Sequence, residues 1–123
     1  YKKQKTTYTV YYSQIEYIES IGRKIVIHLT DGEKTEYNGT LKEAAAKTEG
    51  FTFAQAHNSF IVNIEGISKL DSHHLQMRSG EMIPISSKYH ASFHASYQSY
   101  VKEDKNGHSK RYRHYGRYDP GKY

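Results

Sequence analysis

Three consecutive polar residues interrupt two apolar runs near the middle of the chain, and their side chains are suited to recognition. His57, Asn58 and Ser59 stand between residues 53–56 and 60–62. Because β-branched and aromatic runs predict buried strands, the polar residues are expected where the chain turns. Asn58 carries an amide donor and acceptor side by side, the pair that complements adenine in the DNA major groove. The triplet is therefore a candidate for base recognition.

The same three residues also have a simpler explanation. Asn58 and Ser59 are typical of local turns in which a side chain bonds to the backbone. His57 would then be a half-buried imidazole with its hydrogen bonds satisfied. Residue types alone leave both explanations open.

Two further polar clusters could contact phosphates or bases. Arg23 and Lys24 follow a glycine between two strand-like segments, which predicts a hairpin tip. They are either solvated turn residues or ligands for phosphate and the guanine edge. Ser86 and Ser87 precede Lys88 at a strand-to-helix junction, where a serine is expected to cap the helix. The helix N-terminus and Lys88 could also hold a phosphate.

Catalytic and metal-binding chemistry has less support. Glu19 has no second acid at a spacing suited to general acid–base catalysis, so a structural partner is expected. His90 and His94 have a metal-binding spacing, but no Glu in a His-Glu-x-x-His pattern and no obvious third ligand accompany them. The sequence also lacks a Gly-rich phosphate loop and a Gly-x-Ser-x-Gly elbow. We expect no catalysis, no metal and no cofactor; a metal hydrolase built on the two histidines is a rival hypothesis.

Strands predominate among the elements that would position these residues. Segments rich in β-branched and aromatic residues, bounded by turn signals, predict short strands. The Thr40-x-x-Glu43 capping box predicts a short helix over 40–47. A stripe of aromatic residues predicts a second helix that packs on the sheet; its members are Tyr89, Phe93, Tyr97 and Tyr100. The predicted fold class is mostly β with short helices.

Length and composition indicate one soluble domain with unevenly distributed charge. The chain has 123 residues, no Cys and no apolar run long enough for a membrane span, so we expect a cytoplasmic protein. Its net charge is +5, to which residues 1–5 contribute +3 and residues 101–123 contribute +4. Residues 6–100 therefore carry −2. DNA affinity in this middle part would depend on a few cations focused on one edge.

Residues 57–63, His-Asn-Ser-Phe-Ile-Val-Asn, resemble the central motif of the LytTR family of bacterial DNA-binding domains. In that family an aromatic residue precedes a His-x-Ser-aromatic-aliphatic-Val-Asn run. Residues 15–19 resemble the opening Ile-x-Tyr-Ile-Glu signature, the helix at 40–47 has a family counterpart, and residues 83–86 resemble the final strand and following loop. The resemblance covers roughly residues 6–100.

This resemblance implies a LytTR-type β-sheet domain that binds duplex DNA through loops in the major groove, with the DNA bent between successive grooves. It implies base reading first by Asn58 and then by Arg23. His57 would orient its loop or meet a phosphate. Contacts to the DNA backbone would come from Lys24, Ser59, Ser86, Ser87 and Lys88. The sequence departs from the common family pattern at Gln55, where a basic residue often stands, and at Ser87, where Arg is common.

The predicted organisation has three parts: a basic N-terminal segment at 1–5, the LytTR-like DNA-binding domain at 6–101, and a basic, Tyr-rich C-terminal tail at 102–123 that is expected to be disordered. The resemblance implies the output domain of a bacterial transcriptional response regulator, with a receiver domain before Tyr1. It also implies a monomer that pairs on repeated sites in double-stranded promoter DNA. The alternative is a small β module that binds RNA or single strands, which would need aromatic residues on an exposed sheet face.

Overall fold

The structure is a computed structural model that describes residues 9–105 and 117–118. These residues form ten strands, two α-helices and two short 3-10 helices, which agrees with the predicted, mostly β fold class. The strands are β1 (Val10–Tyr11), β2 (Ile15–Ile21), β3 (Lys24–Leu29), β4 (Lys34–Asn38), β5 (Phe53–His57), β6 (Phe60–Asn63), β7 (Ile67–Leu70), β8 (His74–Met77), β9 (Met82–Pro84) and β10 (Arg117–Tyr118). The α-helices are α1 (Leu41–Thr48) and α2 (Ser87–Lys105), and the 3-10 helices are Tyr12–Gln14 and Ile64–Gly66.

Antiparallel pairing organises these strands into three sheets. The main sheet has five strands in the order β4-β3-β2-β6-β5. A second sheet contains β7, β8 and β9 in sequence order, and β1 pairs with β10. Pro84 lies in β9 at the edge of its sheet, as expected for a residue that cannot donate a ladder hydrogen bond.

The two faces of the main sheet bury separate hydrophobic cores. Alternation along β2 and β3 directs Ile18, Ile25 and Ile27 to one face, where they are almost fully buried beneath Leu41 and Ala44 of α1. The opposite face is covered by α2 and the three-stranded sheet. This second core contains Tyr17, Ala54, Ala56, Val62, Ile64, Ile67, Leu75, Met77, Ile83, Ile85 and Phe93.

The α2 stripe packs inward, as its spacing predicts. Phe93 is fully buried, and Tyr97 and Tyr100 pack against the same core. In addition, the Tyr100 hydroxyl donates to a Glu65 carboxylate oxygen at 2.8 Å. Three of the four stripe residues therefore form a packing surface, while Tyr89 is half-buried beside Lys88. In the described part of the chain, neither helix combines the length and the apolar character that crossing a membrane requires.

Helix α1 begins and ends at the predicted signals. The Thr40 hydroxyl accepts from the Glu43 amide at 3.2 Å, and the Glu43 carboxylate accepts from the Thr40 amide at 3.2 Å. This reciprocal pair is the capping box. Gly50 follows the helix with a φ of +88°, a conformation that glycine adopts without strain. The helix start is thereby fixed beside the end of β4.

Part of the predicted C-terminal tail falls within described elements. Helix α2 continues to Lys105, and β10 pairs with β1 through Val10 and Tyr118. Tyr118 is buried and packs edge-on against Tyr12, with 5.8 Å between ring centroids. Tyr118 thus joins the core beneath α1, although the segment around it has no apolar periodicity; the disorder of the tail stays a prediction. The predicted segments 1–5, 106–116 and 119–123 lie outside the described residues.

Replacing Tyr118 with Phe is expected to lower the free energy of unfolding by about 1 kcal/mol. The Tyr118 hydroxyl forms a hydrogen bond with the Tyr37 hydroxyl, and burial raises its pKa, so it stays protonated and able to donate. Urea denaturation measures the change. Tyr11→Phe is the control, because Tyr11 is exposed in the paired strand. Equal stability of the wild type and Tyr118→Phe would show that the bond between the Tyr118 and Tyr37 hydroxyls does not stabilise the fold.

Candidate nucleic-acid interface

Two hairpin turns lie side by side at one end of the main sheet. Strand β2 pairs with β3 on one side and with β6 on the other. Beyond the last β2–β6 pair, the Ser20 amide donates to the Ser59 carbonyl at 2.9 Å. This bond places the β2–β3 turn, which contains Arg23, beside the β5–β6 turn, which contains Asn58. Since neighbouring strands are about 4.8 Å apart, the hairpin axes are separated by about 10 Å.

A third segment joins the same end of the sheet. The Ser86 amide donates to the Ala56 carbonyl at 2.9 Å, immediately before the β5–β6 turn. The junction between β9 and α2 therefore lies next to that turn. We call this end of the sheet the turn edge, and it gathers all eight candidate DNA-binding residues: Arg23, Lys24, His57, Asn58, Ser59, Ser86, Ser87 and Lys88.

The opposite end of the main sheet is built from different segments. The Thr30 amide donates to the Gln14 carbonyl at 2.8 Å, which places the β3–β4 turn beside the start of β2. The Ser79 amide donates to the Glu16 carboxylate at 3.3 Å, which places the β8–β9 turn there as well. The length of the main strands thus separates these turns from the turn edge.

His57 organises the β5–β6 turn. Its Nδ1 accepts from the Ser59 amide at 3.1 Å, so the neutral ring carries its proton on Nε2. The Gln55 amide nitrogen donates to the His57 carbonyl at 3.1 Å. The ring also packs against Phe60, with 5.6 Å between centroids. Through these contacts the His57 ring and carbonyl hold the conformation of the turn.

Asn58 is exposed at the tip of this turn. The simpler explanation predicts a local side-chain bond from Asn58 or Ser59, but in the described structure His57 supplies the side-chain bond of the turn. The Asn58 amide makes no hydrogen bond with any described residue. Its donor and acceptor are therefore both available to a base edge.

The two cations of the β2–β3 turn differ in their surroundings. Arg23 is exposed, and within residues 9–105 and 117–118 its guanidinium has no partner; Gly22 forms the turn with a φ of +60°. Lys24 instead lies 2.9 Å from the Glu36 carboxylate on β4. The hydrogen bond and charge of Lys24 lower the Glu36 pKa. Arg23 is thus available to a ligand, whereas a phosphate would compete with Glu36 for Lys24.

Replacing Glu36 with Gln should strengthen DNA binding by about two- to fivefold at low salt, because the change releases Lys24 from an exposed ion pair. The slope of log affinity against log salt should steepen by about 1, the value of one added phosphate contact. Glu33→Gln removes the same charge from the β3–β4 turn at the opposite end of the sheet. Equal effects of the two variants would mean that net charge, and not Lys24, determines the change.

The junction before α2 combines an amide-rich helix start with one cation. Ser87 and Lys88 are exposed in the first turn of the helix, and the Lys88 ammonium lies 5.3 Å from the Tyr89 ring centroid. The Ser86 backbone carbonyl accepts from the Tyr89 amide at 3.1 Å. The Ser86 hydroxyl, however, is buried and makes no hydrogen bond with described residues, so the predicted serine side-chain cap is not formed there. Ser87 and Lys88 remain accessible to a phosphate.

Glu19, His90 and His94, the residues weighed for catalysis or metal binding, contact other side chains of the fold. Glu19 lies 2.9 Å from His28 across the β2–β3 pair, and Tyr17 stacks on His28 with 4.1 Å between ring centroids. Glu19 therefore has the structural partner that its isolation in sequence predicts. The His90 and His94 rings are 4.5 Å apart. Across the described ranges, no three His, Asp or Glu side chains are arranged to hold a metal ion.

Three residues at the turn edge are not evident from the sequence. Ser20 joins the two hairpins through its backbone amide, Glu36 holds Lys24, and Ile21 exposes 56% of its surface at the end of β2. Their positions depend on strand register. The β2–β6 pairing places Ser20 and Ile21 beside the β5–β6 turn, and the β3–β4 pairing places Glu36 beside Lys24.

Comparisons with known proteins agree with this architecture. A family model described as the LytTr DNA-binding domain matches residues 5–98. Among solved structures, the chain is similar to the LytTr DNA-binding domain of a methyl-accepting/DNA response regulator from Bacillus cereus, with a TM-score of 0.63 and 23% sequence identity. The match covers 76% of this chain and 97% of that one, and at this identity it concerns the fold alone. A comparison with curated proteins finds no match.

Proposed function

Because the chain belongs to the LytTr DNA-binding domain family, we propose that it binds duplex DNA sequence-specifically by placing the turn edge in the major groove. The observation that carries this proposal is the pair of backbone bonds from Ser20 to Ser59 and from Ser86 to Ala56. They join three segments, distant in sequence, into one continuous polar edge. The central strands of the main sheet are buried by the two cores on its faces.

The dimensions of the turn edge suit a major groove. Two hairpin tips about 10 Å apart are comparable with a groove about 12 Å wide. Asn58 offers an unpaired amide for the N6 and N7 atoms of adenine, and Arg23 offers a guanidinium for the O6 and N7 atoms of guanine. These two side chains read the bases.

The remaining candidates position the domain on the DNA backbone. Lys24 and Lys88 contribute positive charge on either side of the β5–β6 turn, while Ser59 and Ser87 offer short hydrogen-bonding side chains. Ser86 fixes the junction through its backbone bond to Ala56. Phosphate contacts of this kind set orientation and add salt-dependent affinity without selecting bases. His57 holds Asn58 in place by bonding the Ser59 amide.

We propose that this binding serves transcription regulation within a response regulator. A receiver domain would precede the present chain, and the domain would be monomeric alone and paired on repeated promoter sites, with the DNA bent between contacts. The role is binding and not catalysis. The base-reading and phosphate-contacting members of the turn edge would face the DNA together, while His57 and Ser86 position the segments that carry them.

The test is selection of bound sequences from a random duplex pool at near-physiological salt, with parallel titrations of single-stranded DNA and RNA. Recovery of a repeated motif, and affinity for its duplex at least tenfold above that for the separate strands, is the expected result. Tighter binding to RNA or single strands would favour the alternative module. Sequence-independent, steeply salt-dependent binding would leave only the basic segments as the source of affinity.

A further inference from the structure

Ile21 is an apolar residue in an otherwise polar edge. It is the last residue of β2 and exposes 56% of its surface, the largest value among the large hydrophobic residues that the structure describes. Its chain neighbours are Ser20, which bonds to Ser59, and Gly22, which begins the hairpin turn. The side chain therefore stands where the two hairpin tips meet.

Strand register defines the direction of this side chain. Ile21 pairs directly with Lys24, so both side chains lie on the same face of the sheet. Alternation places Glu19 on that face too, and Glu19 pairs with Phe60 on β6. Ile21 is thus beside the turn that presents Asn58 and on the same face as Lys24, one of the backbone-binding cations.

The apolar group that base edges present in the major groove is the C5 methyl of thymine. An aliphatic side chain between a base-reading amide and a base-reading guanidinium is suited to that methyl. We propose that Ile21 is a specificity-determining residue that packs against the 5-methyl group of a thymine next to the bases read by Asn58 and Arg23. This inference rests on the proposed function and extends it to a base that is recognised by an apolar contact and not by a hydrogen bond.

Replacement of thymine by uracil tests this contact, because uracil lacks only the methyl group. Each thymine of the selected duplex is replaced in turn, and affinity is measured for the wild type, Ile21→Ala and Met82→Ala. Met82 is the matched control, since it is 55% exposed on β9 in the other sheet. Both variants change exposed side chains, and thermal melting checks that their folds are retained.

The expected result is that one uracil substitution weakens the wild type about fourfold, the effect of burying one methyl group. Ile21→Ala should bind the thymine and uracil duplexes equally, while Met82→Ala should behave like the wild type. Specific, Asn58-dependent binding without any methyl effect, or a methyl effect that persists in Ile21→Ala, would overturn the Ile21 assignment alone. Absence of any specific duplex binding would overturn the proposed function together with this assignment.

Discussion

Replacing Asn58 with Ala is expected to weaken binding to the selected duplex by roughly 5- to 150-fold, equivalent to about 1–3 kcal/mol, while binding to a scrambled duplex stays nearly unchanged. The reason is that the exposed Asn58 amide makes no hydrogen bond with described residues and can satisfy both polar atoms of an adenine edge. Its loss removes base discrimination and leaves the phosphate contacts in place. Fluorescence anisotropy with both duplexes measures the difference.

Two further variants sharpen this experiment. Asn58→Asp keeps a similar shape but loses the amide donor and adds a negative charge near phosphates, so it should bind the selected duplex more weakly than Asn58→Ala. Gln98→Ala is the control, because Gln98 is an exposed amide residue in the middle of α2. If Asn58→Ala weakens the selected and scrambled duplexes by the same factor, Asn58 does not read a base.

Replacing Asn63 with Ala is expected to lower the free energy of unfolding by about 2–4 kcal/mol, because buried groups lose their hydrogen-bond partners. Asn63 is 3% exposed at the end of β6. Its Oδ1 accepts from the Thr52 hydroxyl at 3.0 Å and from the Glu65 amide at 3.1 Å, and its Nδ2 donates to the Ile15 carbonyl at 2.9 Å. Asn63 thus ties the end of β6 to the start of β2.

Urea denaturation of Asn63→Ala gives this energy directly. Asn38→Ala makes the same chemical change at an exposed position on β4, where the side chain has no hydrogen bond with described residues, so its stability should stay within about 0.5 kcal/mol of the wild type. Asn63→Asp should also be destabilised, since it loses the donor to Ile15 and buries a charge. Similar losses for Asn38→Ala and Asn63→Ala would show that the buried bonds add little.

Local features of the fold follow from short-range chemistry that the sequence displays. The capping box of Thr40 and Glu43 predicts the start of α1, and Gly22 predicts the β2–β3 turn. The interruption at 57–59 predicts the turn between β5 and β6. In each case the determining contacts join residues within a few positions of one another, so residue types are sufficient.

Long-range features depend on register and packing. Two contacts require strand alignments that no local pattern specifies: the backbone hydrogen bond from Ser86 to Ala56 and the ion pair between Lys24 and Glu36. The burial of Tyr118 is not evident from the sequence either, because this single ring belongs to a segment of mostly polar and charged residues. Residue types and the LytTR resemblance therefore predict the members of the turn edge, but only the three-dimensional strand pairing shows that they lie together.

Amide chemical shifts show most directly whether three separate segments form one DNA-binding edge. The labelled protein is titrated with the selected duplex, and the shift of every assigned backbone amide is followed. The largest changes are expected at residues 20–24, 57–59 and 86–88, while residues 30–33 and 78–81 at the opposite end of the sheet should change little. Changes centred on that opposite end, or restricted to residues 1–5 and 106–123, would contradict a single edge formed by the three segments.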